Sequence, residues 1–393
     1  MQVDVAIVGA GLVGLACARA LQDLSVALLA AEARPAPPTP PTSPAPAAPI
    51  EARVYAISPG NVAFLRSLRA WQQIPTERVT PVHAMRVHGD DGRSVLEFDA
   101  YRAGVDALAW IVEDGALQAA LWQTLDARDR CELLPAARCV AIDAGTDGAR
   151  LELEDGRSLD ARLVVGADGA NSAVRTLAGV DARLRPYGQR AVVANFSCTR
   201  AHGNVAGQWF QGGPILALLP LPGAQVSMVW SLPEVEAERV LRLEPETLCR
   251  AVEDASGGAY GALSLVSAPR AFALRRLGAR RLIAPRLALI GDAAHVVHPL
   301  AGQGANLGFQ DAQALARVLA AREPVRDLGD ARLLRRYERA RAEPILAMDA
   351  VVHGLYGLFE SSDRMVARLR NLGLNLTGRV PVLRNLLMRQ AMS

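Results

Sequence analysis

The chain has 393 residues and no lysine, so each of its 43 basic residues is an arginine. Chemistry that depends on a lysine side chain is closed to it. Acidic residues number 40, which leaves a formal net charge of +3, too near neutral to argue for a nucleic-acid partner. Cysteine is scarce: Cys17, Cys131, Cys139, Cys198 and Cys249 are odd in number and none forms a C-x-x-C pair. A reduced, cytoplasmic protein fits that pattern better than a disulfide framework or a cysteine-based metal site. No run of about 18 apolar residues is free of charges and helix breakers, so no transmembrane span is expected. The apolar first twenty residues lack a basic leading region and carry Asp4, which fits a buried strand and helix better than a signal peptide.

What is present is a chain long enough for two lobes. Residues 3–8 read as a buried strand, 12–21 as the helix after it and 26–29 as a second parallel strand. Eight prolines crowd residues 35–49, where neither a helix nor a strand ladder can continue, so an extended surface loop is expected. Residues 61–71 and 113–125 have helical period, and 86–98 alternate around Asp90-Asp91-Gly92 as a hairpin. A second hairpin turns at Asp155-Gly156 and leads into a buried strand ending at Val165. From about 185 to 280 the pattern is strand-like. Residues 287–290 return to the buried-strand pattern, 306–319 are helical, and the remainder is helical and rich in arginine.

Three glycine–acid motifs stand far apart in this pattern. Gly9-Ala10-Gly11-Leu12-Val13-Gly14 follows a strand and opens a helix, the context in which a G-x-G-x-x-G run binds a dinucleotide. Gly9 suits the tight turn, Gly11 admits a pyrophosphate to the helix N-terminus, and Gly14 lets helix and strand approach. Glu32, eighteen residues further on, is placed either to accept hydrogen bonds from an adenosine ribose or to end the strand as a solvated acid. The second motif is Gly166-Ala167-Asp168-Gly169. The third is Gly291-Asp292-Ala293-Ala294-His295, running on to Pro299 and to Gly302-Gln303-Gly304-Ala305-Asn306. A carboxylate at Asp292 suits polyol hydroxyls, and a helix N-terminus near Asn306 suits the negative charge of a reduced flavin.

In this order and spacing the motifs resemble those of the class A flavoprotein monooxygenases, the group of para-hydroxybenzoate hydroxylase, and most closely the bacterial ubiquinone-biosynthesis hydroxylases. Glu51-Ala52-Arg53-Val54-Tyr55, Trp110-Ile111-Val112-Glu113, the stretch 210–221 and Tyr337-Glu338-Arg339-Ala340-Arg341 extend the likeness over nearly the whole chain. The resemblance implies an α/β fold: a discontinuous Rossmann-like FAD-binding domain (residues 1–75, 105–184 and 282–345), an inserted strand-rich substrate lobe (76–104 and 185–281) and a C-terminal helical segment (346–393). It implies that Arg53 contacts the flavin diphosphate, that Asp168 supports that region and a pyridine nucleotide, and that Arg175 holds the Asp168 loop. It also places Gly302, Gly304, Ala305 and Asn306 along the isoalloxazine, with Val13 beside the first turn. Pro299 and Gly302 would belong to the loop on the flavin face. Asp114 stands where many such enzymes carry a second arginine.

The implied reaction is hydroxylation of a prenylated phenol in ubiquinone biosynthesis, with FAD, O2 and NAD(P)H or another donor, through a flavin C4a-hydroperoxide. The cofactor carries that chemistry, so no essential side-chain base is expected, and His295 belongs to the structural motif. Trp209, Phe210, Pro214 and Leu219 are candidate walls of the ring pocket, although core packing suits the aromatics better. The arginine-rich stretch 364–389 fits either peripheral contact with the inner membrane or a quinone-synthesis complex, or else a solvated helical cover. No metal is expected. A flavin halogenase is excluded because that chemistry relies on a lysine. A polyprenyl reductase, a hydroxylase of a soluble aromatic compound and a non-catalytic flavoprotein subunit stay open.

Overall fold

The computed structural model describes residues 1–32, 50–125, 130–298 and 304–360. The proline-rich stretch, Pro299, Gly302 and the arginine-rich stretch 364–389 therefore lie outside the described residues.

Strand Gln2–Val8 is the middle of an eight-stranded sheet. Ser158–Gly166 pairs with it in parallel on one side and Val26–Ala30 on the other. Leu287–Leu289 then adds in parallel beyond Ser158–Gly166, and Cys131–Pro135 beyond Val26–Ala30. Parallel strands are covered on both faces, which is why these segments are continuous apolar runs rather than alternating ones. Val5, Ala6, Ile7, Leu28, Val164 and Leu289 are all inaccessible to solvent. Helix Leu12–Ala20 and helix Gly304–Ala320 cover this sheet, and Asp114–Thr124 packs its Leu117 and Leu121 into the same core.

A second sheet of nine strands is mostly antiparallel. Its spine is the long strand Ala182–Cys198, flanked by Arg270–Ala279 and Gln225–Pro233, followed by Ile215–Leu221, Val205–Phe210 and the hairpin Ala84–His88/Val95–Asp99. One face is covered by helices Glu234–Leu241 and Pro245–Ala255, whose Ala237, Val240, Leu248 and Val252 pack on Val192, Phe196 and Met228. The other face looks toward the first sheet. A third sheet has three strands, Val54–Ile57, Ala109–Glu113 and Val79–Val82, and the last two flank the Ala84–His88/Val95–Asp99 hairpin in sequence.

Several elements depart from the sequence reading. The two helices at 234–255 sit in a stretch expected to be strand-like. Proline at the first helical position of 245–255 and the apolar stripe Leu248, Cys249, Val252 carry the helical signal. Strand Ala182–Cys198 crosses the expected boundary at 184/185 without a break, taking up a register shift between Pro186 and Arg190. His295–Val296 joins the second sheet through Leu277 and Gly278, although it lies within the third glycine motif. The boundary expected at 345/346 falls inside the continuous helix Ala331–Glu360, which accommodates Pro344 in its interior.

A buried ionic cluster ties the third motif to the C-terminal helices. Asp311 has no solvent exposure; its Oδ2 accepts from the Gly291 N–H at 2.9 Å and meets His295 Nε2 at 2.6 Å, while Oδ1 accepts from Arg341 Nε at 2.6 Å. Burial pushes this carboxyl up, but His295 and Arg341 outweigh it and hold it below the usual carboxylate range. A lowered carboxylate contributes stability that is present above its unfolded value and lost as pH falls through the folded one. Asp311→Asn should therefore cost about 3–5 kcal/mol at neutral pH, as expected for removing one partner of a buried ion pair. It should also flatten the acid limb of the stability curve. Urea unfolding across pH checks both; a variant as stable as the parent with the same acid limb would contradict them.

Candidate active site

The C-terminal ends of Gln2–Val8, Ser158–Gly166 and Leu287–Leu289 lie side by side, with Val8 opposite Gly166 and Gly166 opposite Leu289. Each strand runs directly into one glycine motif, so the three motifs share one edge of the sheet. Glycine is required there by contact. Gly9 has φ of +112°, and a Cβ on it would lie 2.3 Å from the Ala167 carbonyl oxygen; a Cβ on Gly14 would lie 1.9 Å from that of Gly9. Gly11 differs: nothing lies within 4 Å of where its Cβ would be, and it lines an open cleft. It is the N-cap of helix Leu12–Ala20, supplies no side-chain cap, and the first turn holds no acid. The orphan N–H groups there are free for an anion.

The cleft has a volume of about 660 Å³ and runs between the two large sheets. Val13, Arg53, Asp292, Gly304 and Ala305 line it together with Gly11. Val13 also wedges against the third motif and the helix after it, since a Cβ on Gly291 would lie 3.3 Å from its Cγ atoms and one on Gly308 2.4 Å from its Cγ2. Arg53 faces Asp114 Oδ2 at 3.6 Å, and its guanidinium lies 5.4 Å from the Tyr55 ring centroid. The pair is half open to solvent and leaves the guanidinium fork available to a phosphate. Tyr55 also lines the cleft, and burial pushes its hydroxyl far above the ordinary range.

Asp292 lines the cleft with its side chain exposed, yet protein crowds around it on the cleft walls. This desolvation raises its carboxyl above the ordinary value, against the pull of His295, Arg53 and Arg275. Glu32 is exposed, just beyond the end of strand Val26–Ala30, on the edge that carries the glycine turns.

Two expected ligands have their side chains committed within the protein. Asp168 Oδ1 accepts from Ser172 Oγ at 2.5 Å and Oδ2 from the Val174 N–H at 3.1 Å, so its carboxylate braces its own turn; Ala167 and Gly169, not Asp168, line the cleft. Arg175 ties that turn to the third motif by donating to the Ala293 carbonyl at 2.8 Å and the Ala170 carbonyl at 3.1 Å. Asn306 donates to the Ala56 carbonyl at 2.8 Å and accepts from the Ser58 N–H and Asn61 Nδ2, both at 3.0 Å. Its amide stitches helix Gly304–Ala320 to the strand and helix around residue 58, leaving only main chain for a ligand.

On the second sheet, Leu219 lines the cleft. Trp209 does not: strand alternation turns it to the opposite face, where it stacks on His88 at 5.1 Å and meets Tyr260 edge-on. Phe210 is buried in a small cluster with Val87, Leu96 and Ile215, and Pro214 lies in the turn between two strands. Met85, Phe98, Gln208, Ala217 and Val229 form the wall instead. Period two in the hairpin and strands made this set available, but nothing in the sequence says which face meets the cleft. His295 is held by Asp311, and burial pushes His298 down to about 4, consistent with packing roles for both.

The residues fit FAD. Gly11 and Arg53 offer an anion site, Asp292 an acceptor for polyol hydroxyls, and the N-terminus of helix Gly304–Ala320 a positive dipole end facing the cleft. A raised carboxylate contributes stability that is full below its unfolded value and lost as pH rises through the folded one. Asp292→Asn should therefore melt higher than the parent in the FAD-free form at neutral pH. Asp292→Ala should lose roughly 1.5–3 kcal/mol of FAD affinity, the worth of a hydrogen bond to a charged group. Thermal melts of both forms and FAD retention after dialysis check the pair; parental retention by Asp292→Ala would sink the assignment.

Comparison with known proteins agrees with this geometry. The family described as FAD binding domain matches residues 2–349. Ubiquinone hydroxylase UbiL of Rhodospirillum rubrum is 35% identical over 392 residues, covering 99% of this chain and 89% of that protein. The 3-demethoxyubiquinol 3-hydroxylase of Escherichia coli is 32% identical over 394 residues, covering 99% and 98%. The crystal structure of Pseudomonas aeruginosa PqsL in complex with 2-aminobenzoylacetate superposes with a TM-score of 0.76 at 26% identity, covering 95% of this chain and 99% of that one. The chain is an FAD-dependent enzyme that uses O2 and a reduced electron donor, and it belongs to the class A flavoprotein monooxygenases.

Proposed function

We propose that this monooxygenase hydroxylates the ring of a polyprenylated phenol on the route to ubiquinone, with NAD(P)H or another reduced compound as the electron donor. The observation that carries the reading is a cleft with two unlike ends. The end at Gly11, Arg53 and Asp292 is built for a charged, hydroxylated cofactor, and the wall of Met85, Phe98, Ala217, Leu219 and Val229 is built for an apolar ring and tail. Full-length similarity to proteins named for hydroxylation of ubiquinone precursors supports the substrate class.

When bound, FAD takes electrons from the donor and supplies the activated oxygen. The protein contributes placement and field. Arg53 and the N–H groups after Gly11 would hold the diphosphate, and Asp292 would accept from ribityl hydroxyls. The N-terminal end of helix Gly304–Ala320 favours negative charge developing beside it. The apolar wall keeps water from the reacting oxygen. Glu32 remains the proposed acceptor for the adenosine ribose, and the main chain of 302–306 with Pro299 the proposed flavin-face loop.

No helix among the described residues is long and apolar enough to cross a membrane. A prenyl tail is insoluble in water, so we propose delivery at a membrane surface or from a partner complex, with the arginines of 364–389 facing anionic lipid. The purified FAD-loaded protein should oxidise NAD(P)H faster with a short-chain prenylated phenol than with a simple benzoate, yielding the hydroxylated ring by mass spectrometry. Equal turnover of the benzoate would assign the enzyme to soluble aromatic compounds instead. It should also sediment with anionic vesicles at low salt and be released at high salt; replacement of the 364–389 arginines by Gln should abolish sedimentation, and unchanged sedimentation would contradict that contact.

A further inference from the structure

One polar side chain interrupts the apolar wall. In strand Val205–Phe210, Ala206, Gln208 and Phe210 share the face turned toward the first sheet. Gln208 lies opposite Val87 on one side and Ala217 on the other, and Ala217 in turn lies opposite Val229. Each of these lateral neighbours is apolar. Gln208 is only 5% exposed, and it lines the cleft. Its amide carries two donors and an acceptor, yet among the described residues it has no hydrogen-bond partner.

Asn195, also buried in this lobe, uses its amide nitrogen within the protein: it donates to the carbonyls of Ile50 and Glu51, both at 2.9 Å, while its Oδ1 is left without a partner. The Gln208 amide opens onto the cleft, so its partner comes from what the cleft holds. A leucine or methionine would continue the apolar wall, whereas the amide suits a ligand group able to form a hydrogen bond there. The ligand class the cleft takes has one suitable atom in its ring region, the phenol hydroxyl.

We propose that Gln208 anchors the substrate: its Oε1 accepts a hydrogen bond from the phenol O–H and so fixes the rotation of the ring against the apolar wall. The inference rests on the prenylated-phenol reading above and adds the contact that would set which ring carbon is hydroxylated. Selectivity is strongest where a site is built to hydrogen-bond a hydroxyl, because a ligand lacking it leaves the amide unpaired.

The test uses the FAD-loaded enzyme with a short-chain prenylated phenol and with the matching prenylbenzene, which lacks the hydroxyl. Dissociation constants are read from the perturbation of flavin absorbance. The parent should hold the phenol about tenfold more tightly than the prenylbenzene, the worth of one hydrogen bond. Gln208→Met keeps length and removes the amide. It should weaken phenol binding about tenfold, leave prenylbenzene binding unchanged, and broaden the positions hydroxylated. Gln208→Asn, one methylene shorter, should fall between. The melting temperature of FAD-free Gln208→Met should match or exceed the parent's, which separates loss of an anchor from loss of the fold. If Gln208→Met discriminates phenol from prenylbenzene as the parent does, the anchor is overturned. If the parent itself binds neither compound, the substrate reading fails, and that result is visible before any variant is made.

Discussion

Parallel pairing of three strands is the constraint on which the rest depends. Gln2–Val8, Ser158–Gly166 and Leu287–Leu289 are far apart in the chain, yet their shared register brings Val8, Gly166 and Leu289 into one row. Each strand must then turn sharply at the same edge, and close approach of Gly9, Gly14 and Ala167 leaves room only for glycine. The turns in sequence are separate motifs; in space they are one floor for a ligand. A ligand at the carboxyl ends of strands in an open parallel sheet follows from this geometry.

Holding that floor together consumes side chains that the sequence presents as ligands. Asp168 braces its own turn, Arg175 links the second turn to the third, and Asn306 fastens a helix to the small sheet. Beneath the third turn, Asp311 gathers Gly291, His295 and Arg341 into one buried network. The network gives rigidity to main-chain groups that face the cleft. Asp292 is the exception, a carboxylate kept in surroundings that disfavour its charge. Such a group is maintained at a cost to the empty protein, which is reasonable where a bound polyol repays it with hydrogen bonds.

The end of the cleft proposed for the cofactor was legible as a cluster because its signal is local. Glycine spacing, a buried run before it and a helix after it are all contiguous in sequence, and Gly11, Val13, Arg53, Asp292, Gly304 and Ala305 all line the cleft. The apolar wall was not. A strand shows which residues share a face, but which face meets the cleft depends on the partner layer, so Trp209 looked as eligible as Leu219. Helices 234–241 and 245–255, which decide the matter by covering the Trp209 side, lie in a stretch whose apolar residues suggested strand. Gln208 carried no signal at all, since one glutamine in an alternating strand reads as solvent-facing until the sheet is assembled.

Hydrogen–deuterium exchange with and without FAD tests the convergence of the three motifs most directly. The account predicts that one FAD per chain slows exchange together in the backbone after all three strands, at residues 9–14, 166–174 and 291–308. Protection confined to the first turn, with the second and third exchanging as in the FAD-free protein, would contradict it.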